Sequence, residues 1–446
     1  MKKMTIHVLD RNTAIQLGVC VNGKTLKFVT PFTKWVSDLN WRLGLTGLII
    51  PLVLFITFFS LHYSSTSNGF SAFYPVQQFL FNIPFKFICE DDPVISKDEL
   101  LRSKIAVCLV GGARRFELTG PSIIEMVLKE YPNSDLFLHS PLDKDTFKFS
   151  ILKFAPNVAA VRIFHPQPLP ENEPYVRVLT AHNSPNGIQG LLQYFNLVEG
   201  CLTMIKSHQQ KHNFTYDWII RTRVDGYWNA PLGPENFVPG KYLVPPGSSY
   251  GGLNDRLGIG DLRTSTVALS RLSLVPNLDS AGFNNLNSEA AFKAQLTTLN
   301  VSHVAKRLPF CVVSDRRYDF PPGRFGVPVA ALSSPGPLSG AKCRPCRPAC
   351  EGLCVETVMD NVEKEWSWTH WENGALQLCD AHDAWESGWE KIFDRFSGNK
   401  FAAARKRIHS MRMGECVKDF VQLRKRSAHW SAPPVDEICT LGLSPP

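Results

Sequence analysis

The chain has 446 residues, 44% hydrophobic and 20% charged, with 29 Phe and 10 Trp. That is enough apolar material for a sizeable core, and it excludes both a single small module and wholesale disorder. The formal net charge is +8, yet seven Lys and Arg against two Asp and Glu fall in the first 42 residues. The rest is nearly balanced, which excludes binding driven by general basicity and leaves no nucleic acid among the expected partners.

The first distinctive segment runs from Leu43 to Leu61, 19 residues without a charge. About 20 apolar residues at 1.5 Å each span a bilayer core of roughly 30 Å. A buried soluble helix is the alternative, but Gly44, Gly47 and Pro51 are tolerated better in a membrane helix. A polar leader of 42 residues precedes the run and no small-residue cleavage site follows promptly, so it reads as an uncleaved signal anchor. Lys24, Lys27, Lys34 and Arg42 lie before it and no Lys or Arg recurs until Lys86. This asymmetry predicts a single-pass type II membrane protein, with a cytosolic tail (1–42), an anchor (43–61) and a lumenal remainder.

Two other features agree. Asn213-Phe214-Thr215 and Asn300-Val301-Ser302 are glycosylation acceptors, and eleven of the twelve Cys, all but Cys20, follow the anchor. The odd number leaves a free thiol, for which Cys108, inside an apolar run, is the candidate. Residues 62–103 read as a stem, because Gln77, Gln78, Asn82 and Pro84 interrupt what would otherwise be a second span.

Beyond the stem, short apolar runs alternate with helical patterns. Lys104 to Gly112 reads as a doubly buried strand ending in Gly-Gly. Thr119 to Tyr131 reads as a helix opened by Pro121 and a Ser122-x-x-Glu125 capping box. Asp135–Ser140 and Ala159–Phe164 are further strands, Ile188–Lys211 a long helix, and Tyr216–Trp228 the next strand. The alternation predicts an α/β fold with a mainly parallel sheet flanked by helices, over residues 104–332. Its ligands belong beyond the carboxyl ends of the strands.

Arg221-Thr222-Arg223-Val224-Asp225-Gly226 closes that last strand. Strand alternation sends Arg221, Arg223 and Asp225 to one face. Two guanidinium groups and a carboxylate there read either as an internal salt bridge or as a site for a nucleotide diphosphate.

The order of KIAVCLVGGARRFE, DLFLHS, YDWIIRTRVDGYW, NDRLGIGD and NSEAAFKAQL resembles glycosyltransferase-like families of GT-A type. In particular it is similar to an uncharacterised plant family of type II membrane proteins with an Arg-x-Arg-x-Asp strand end. The resemblance covers about Lys104 to Arg317 and implies a GT-A-like enzyme of the Golgi lumen. Such an enzyme moves a sugar from a nucleotide sugar to a glycan or glycoprotein acceptor. In GT-A enzymes a D-x-D motif at this strand end usually holds a divalent metal against the diphosphate, whereas here Arg223 stands where the first Asp would be. Either Asp225 holds Mn²⁺ or Mg²⁺ alone, or Arg223 replaces part of the metal's charge. By position Arg221, Arg223, Arg114, Arg115, Arg256 and Asp261 are candidate donor-binding residues. Glu289, Asp225 and Asp255 are the candidate acids or bases, with Asp255 and Asp261 assigned to a Gly-rich loop. A non-catalytic lumenal glycan-binding or scaffold protein on the same fold is the alternative.

No P-loop, nucleophile elbow or zinc-protease helix motif occurs. Cys343, Cys346, Cys350 and Cys354 have neither zinc-ribbon nor iron–sulfur spacing and read as two disulfides of open connectivity, in a Pro/Gly/Cys-rich connection over residues 333–355. Residues 356–446 read as helical. Their Trp366, Trp368, Trp371, Trp385 and Trp389 are core or a sugar-stacking platform, and their basic runs, Arg405-Lys406-Arg407 and Arg424-Lys425-Arg426, a solvated face.

Overall fold

The computed structural model describes residues 95–443, except Asn183, Pro185, 320–326 and 361–375, together with four strands nearer the N-terminus. The chain divides into two compact units, 1–92 and 93–446.

In the first unit β1 (Ile6–Arg11), β2 (Ala14–Val21), β3 (Lys24–Val29) and β4 (Phe87–Cys89) form an antiparallel sheet in that order. The predicted tail therefore carries strands, and β3 pairs with β4 from the predicted stem. The anchor itself lies outside the described residues, among which no helix is long and apolar enough to cross a membrane.

The second unit opens with α1 (Lys97–Arg102), capped by the Ser96 hydroxyl and docked through buried Leu100. An eight-stranded sheet then forms its centre. It contains β5 (Ile105–Val110), β6 (Ser134–Pro141), β7 (Val158–Phe164), β8 (Trp218–Arg223), β10 (Lys241–Val244), β11 (Leu257–Asp261), β12 (Ser302–Ala305) and β16 (Ser427–Ser431), in the order β12-β10-β11-β8-β5-β6-β7-β16. Only β11 runs against its neighbours; the other pairings, β10 with β12 and β8 through β5, β6 and β7 to β16, are parallel.

All six residues of β5 are buried, as its unbroken apolar run requires. Ile105, Val107 and Leu109 enter one layer with Phe116, Ile123 and Val127. Ala106, Cys108 and Val110 enter the other, with Val198, Cys201, Leu202 and Ile205 of the long helix. Each fully buried large apolar side chain contributes about 1.5–3 kcal/mol, so this central strand fixes both layers. Cys108 is not free, because it bonds to Cys201 and ties β5 to that helix.

The helices on the two faces are α2 (Phe116–Ile123), followed by a π-helical turn over Ile124–Leu128; α3 (Glu173–Val178); α4 (Gly187–His212); α5 (Leu262–Leu269); α6 (Val275–Ser280); and α7 (Ser288–Thr298). α2 begins earlier than the motif predicted and holds Pro121 inside it. No capping box forms at Ser122: its hydroxyl donates to the Thr119 carbonyl, and Glu125 pairs with Lys129 and Lys400. The Gly-rich segment expected as a loop is largely strand β11. Its glycines answer to Tyr242 on β10: a Cβ on Gly258 would stand 2.0 Å from the phenol oxygen, and one on Gly260 would stand 2.7 Å from the ring.

After β8 the chain turns through Val224 and Asp225 into β9 (Gly226–Trp228), so Tyr216–Trp228 is two strands rather than one. With β13 (Phe310–Val313), β14 (Ala330–Ala331) and β15 (Lys342–Arg344), β9 builds a second sheet ordered β14-β15-β13-β9. The cysteines of the connection are split between partners. Cys343 bonds to Cys311 and Cys346 to Cys379, and only Cys350 and Cys354 bond to each other.

The C-terminal stretch holds α8 (Leu353–Asp360), α9 (Trp389–His409), α10 (Met413–Arg426) and α11 (Val435–Leu443), with Cys416–Cys439 joining the last two. It is not purely helical, since β16 extends the main sheet beside β7. Nor are its basic runs a merely solvated face. Arg405 is buried against Asp394, Arg407 pairs with Asp419, and Arg426 donates to the carbonyls of Lys153, Ala155 and Pro156.

Gly258→Ala is expected to destabilise the protein by about 1–3 kcal/mol, because the added methyl overpacks against Tyr242. Chemical denaturation should show a lowered midpoint; an unchanged midpoint would refute the packing role of this glycine.

Candidate functional site

Chain order along the sheet reverses at β5: β6 and β7 lie on one side and β8 on the other. In open α/β sheets ligands bind outside the carboxyl ends of the strands at such a reversal. A cleft of about 490 Å³ opens there. Its walls come from the ends of β5 (Gly111, Gly112, Arg114), β6 (Asp143), β7 (Arg162, Phe164, His165) and β8 (Arg223, Asp225), with Gln193, Tyr194 and Asn196 of α4. Gly111 adopts φ +127°, and a Cβ there would meet Val224 at 2.8 Å. Glycine thus lets β5 end against the turn that carries Asp225.

Arg223 and Asp225 form a two-point ion pair on the cleft wall. Nε and Nη2 of Arg223 each donate to a separate carboxylate oxygen at 2.7 Å. Burial works to raise the Asp225 pKa, but Arg223, helped by Lys342 and Arg114, overrides it and holds the group at about 2. Asp225 is therefore ionised at any physiological pH.

Arg221 has a different task. It is buried, and it donates to the Asp255 carbonyl and the Tyr194 hydroxyl. Tyr194 in turn donates to the Asp255 carbonyl at 3.0 Å. The Asp255 carboxylate accepts from Ser288 Oγ at 2.7 Å and faces buried Arg271 at 3.5 Å. Burial opposes its ionisation, while Arg271, Arg221 and Ser288 lower its pKa. Asp255 is thus a buried anchor behind the cleft rather than a group on its wall.

Three other expected site residues have structural roles. Asp261 caps α5, accepting from the Thr264 N–H and the Gly240 N–H at 2.8 Å each. It stands opposite Trp218, at the end of the sheet away from the cleft. Arg115 turns from the cleft to Asp315, with Nη2 at 2.7 Å, and lies 4.0 Å over Trp385. The same contact covers Trp385, whose indole N–H donates to the Ser314 carbonyl, so Trp385 serves packing rather than sugar stacking. Trp366, Trp368 and Trp371 lie outside the described residues. Arg256 donates to Ser248 Oγ at 2.9 Å and the Gly340 carbonyl at 2.7 Å, both neutral acceptors. Arg114 does reach the cleft and remains exposed.

Glu289 opens α7 beside Asp255 and Arg256, off the main cleft wall. Its backbone is pinned by the preceding loop, where Leu253 N–H donates to the Glu289 carbonyl at 3.1 Å. Burial first, and then the charge of Asp255, raise its pKa from 4.5 to about 7.

Lys342, Asp143 and Tyr194 belong to no motif in the sequence. Lys342, on β15, is half-buried beside Asp225, Arg223, Arg256 and Arg316. Its burial and the neighbouring guanidinium groups hold its pKa well below the ordinary lysine range. Divalent Mg²⁺ is held by an octahedron of oxygens. Here both Asp225 oxygens already serve Arg223 and the nearest charged neighbours are cations, so these residues do not fit Mn²⁺ or Mg²⁺. Among the described residues no group of three or more His, Cys, Asp or Glu could hold a metal.

The family model of a domain of unknown function, DUF7796, matches residues 100–445. The chain belongs to the DUF7796 family. No curated protein matches it. Among solved structures it is similar to the apo crystal structure of mouse xyloside xylosyltransferase 1, at 12% identity and a TM-score of 0.31, covering 46% of this chain and 85% of that one.

Glu289→Gln tests the buried carboxyl through stability. Glu289 binds its proton more tightly folded than unfolded, so the wild-type protein loses stability as pH rises from about 4.5 to about 7. The variant should match wild type at pH 4 and exceed it at pH 8 in denaturant unfolding. Parallel pH profiles would show that Glu289 titrates normally.

Proposed function

We propose that this member of the DUF7796 family is a glycosyltransferase that takes a nucleotide sugar in the cleft over β5 and β8 and transfers the sugar to a glycan or glycoprotein hydroxyl. The observation that carries this is electrostatic. Arg223 and Arg114 on the cleft wall, with Lys342 behind them, surround one firmly ionised carboxylate, Asp225, in a cleft of nucleotide-sugar size. Such a site calls for an anion. Fixed cations there would stabilise the charge that grows on a departing diphosphate. Glu289, at about 7 but off the main cleft wall, suits the role of base only toward an acceptor hydroxyl that enters beside α7. Asp225 keeps Arg223 extended toward the donor.

The closed Arg223–Asp225 pair also suits a protein that binds donor or glycan without turnover. Donor binding with no transfer to any acceptor would favour that second reading.

A thermal-shift screen of the full-length protein against nucleotide sugars tests the donor site. One donor at a hundredfold excess over its Kd should stabilise the fold by about 2.7 kcal/mol. Arg223→Ala and Asp225→Ala should each lose the response while remaining folded. No response to any donor would remove the transferase reading.

The proposed location is the Golgi lumen, with residues 43–61 as a type II anchor. The five disulfides of the second unit support an oxidising compartment. The protein made in cells should carry endoglycosidase-sensitive glycans that disappear in the double variant Asn213→Gln/Asn300→Gln. An unglycosylated wild-type protein would overturn the lumenal assignment.

A further inference from the structure

We propose that Lys342 and Arg223 together supply the positive charge that holds the donor diphosphate, so that this site loads without a divalent cation. The inference rests on the nucleotide-sugar reading above.

It starts from the way the second sheet delivers Lys342. On β15 Lys342 stands opposite Val312 of β13, and Val312 stands opposite Gly226 of β9, the residue after Asp225. The same strands are locked to the motif, since the Val313 N–H donates to the Asp225 carbonyl at 2.8 Å and Cys343 bonds to Cys311. Lys342 is therefore held in a fixed place relative to the Arg223–Asp225 pair, although more than a hundred residues separate them in sequence.

Its surroundings give it no counter-charge of its own. Asp225, the carboxylate Lys342 feels, has both oxygens on Arg223, and among the described residues the Lys342 side chain makes no ion pair or hydrogen bond. Arg256 approaches from the Gly340 side, bonded only to neutral oxygens there. Charging a half-buried lysine among guanidinium groups is costly, and an apolar residue of similar length would serve packing better. The cost is offset when an anion enters. A divalent cation at the same point would face Lys342, Arg223 and Arg114 and gain only a carboxylate that is already paired. Lysine binds phosphate as a point charge and arginine as a planar fork, so the two divide the task between them.

The test is titration of the full-length protein with inorganic pyrophosphate and, separately, with the panel of nucleotide sugars, each in EDTA and in Mn²⁺. Pyrophosphate should bind equally well in both. Lys342→Met should weaken it about tenfold and Lys342→Arg far less, while Lys342→Met without ligand melts no lower than wild type. Binding that requires Mn²⁺, or is unchanged in Lys342→Met, would overturn the proposal; the EDTA comparison decides even where the variant does not fold. Nucleotide-sugar binding that depends on Mn²⁺ would sink this inference and leave the transferase reading standing. Lys342-dependent binding of pyrophosphate with no nucleotide sugar bound would keep the anion site and sink the transferase reading.

Discussion

The ion pair between Arg223 and Asp225 sits where the chain leaves one sheet and enters another, and much of the second unit converges on that turn. The Val224 N–H donates to the Val110 carbonyl at 3.0 Å, the Thr119 hydroxyl donates to the Val224 carbonyl at 2.6 Å, and Val313 reaches the Asp225 carbonyl. β5, α2 and β13 are thereby tied to two residues. Asp225 is buried and Arg223 half-buried, so removing Arg223 leaves a buried carboxylate without compensation, which destabilises the turn. The same turn is thus a structural joint and the wall of the cleft.

Behind it lies a second set of charges that supports the first. Arg221, Tyr194, Asp255, Arg271 and Ser288 join β8, α4, the segment before β11 and α7 through hydrogen bonds, and Arg271 also lies 4.5 Å over Phe195 and 4.7 Å over Phe292. These groups touch no open space in the main cleft apart from Tyr194. Their effect is to brace β8 behind Arg223, and to place the Asp255 charge that adds to burial in raising the Glu289 pKa. Two arginines in one short motif therefore do different work: Arg221 holds the scaffold and Arg223 faces the cleft.

The parts of the fold readable from sequence were those governed by local pattern. The apolar runs of β5, β6 and β7 and the stripe of α4 announced themselves through burial periodicity, and the Gly-Gly after β5 marked the cleft edge. Elements set by distant partners were not readable. β11 looks like a loop because its glycines accommodate Tyr242, a residue on another strand. Cys343 and Cys346 looked like partners of their neighbours, whereas sheet pairing and the Leu378 segment carry them to Cys311 and Cys379. In the site the motif on β8 was legible, but Asp261 resembled a functional acid only because a helix-capping aspartate and a catalytic one look alike in sequence. Lys342 carried no signal, since a lone lysine on a three-residue strand gains its meaning only from the register of β15.

The two sequon asparagines share a geometry. Asn213 and Asn300 both adopt left-handed backbone, at φ 51° and 50°, just past the ends of α4 and α7, and both are exposed. Each precedes a strand that runs toward the cleft, Asn213 before β8 and Asn300 before β12, so both stand at the amino-terminal rim of the sheet. Glycans carried there would project from the rim of the sheet opposite the cleft. Sugar chains at those two positions would not stand between the cleft and whatever enters it.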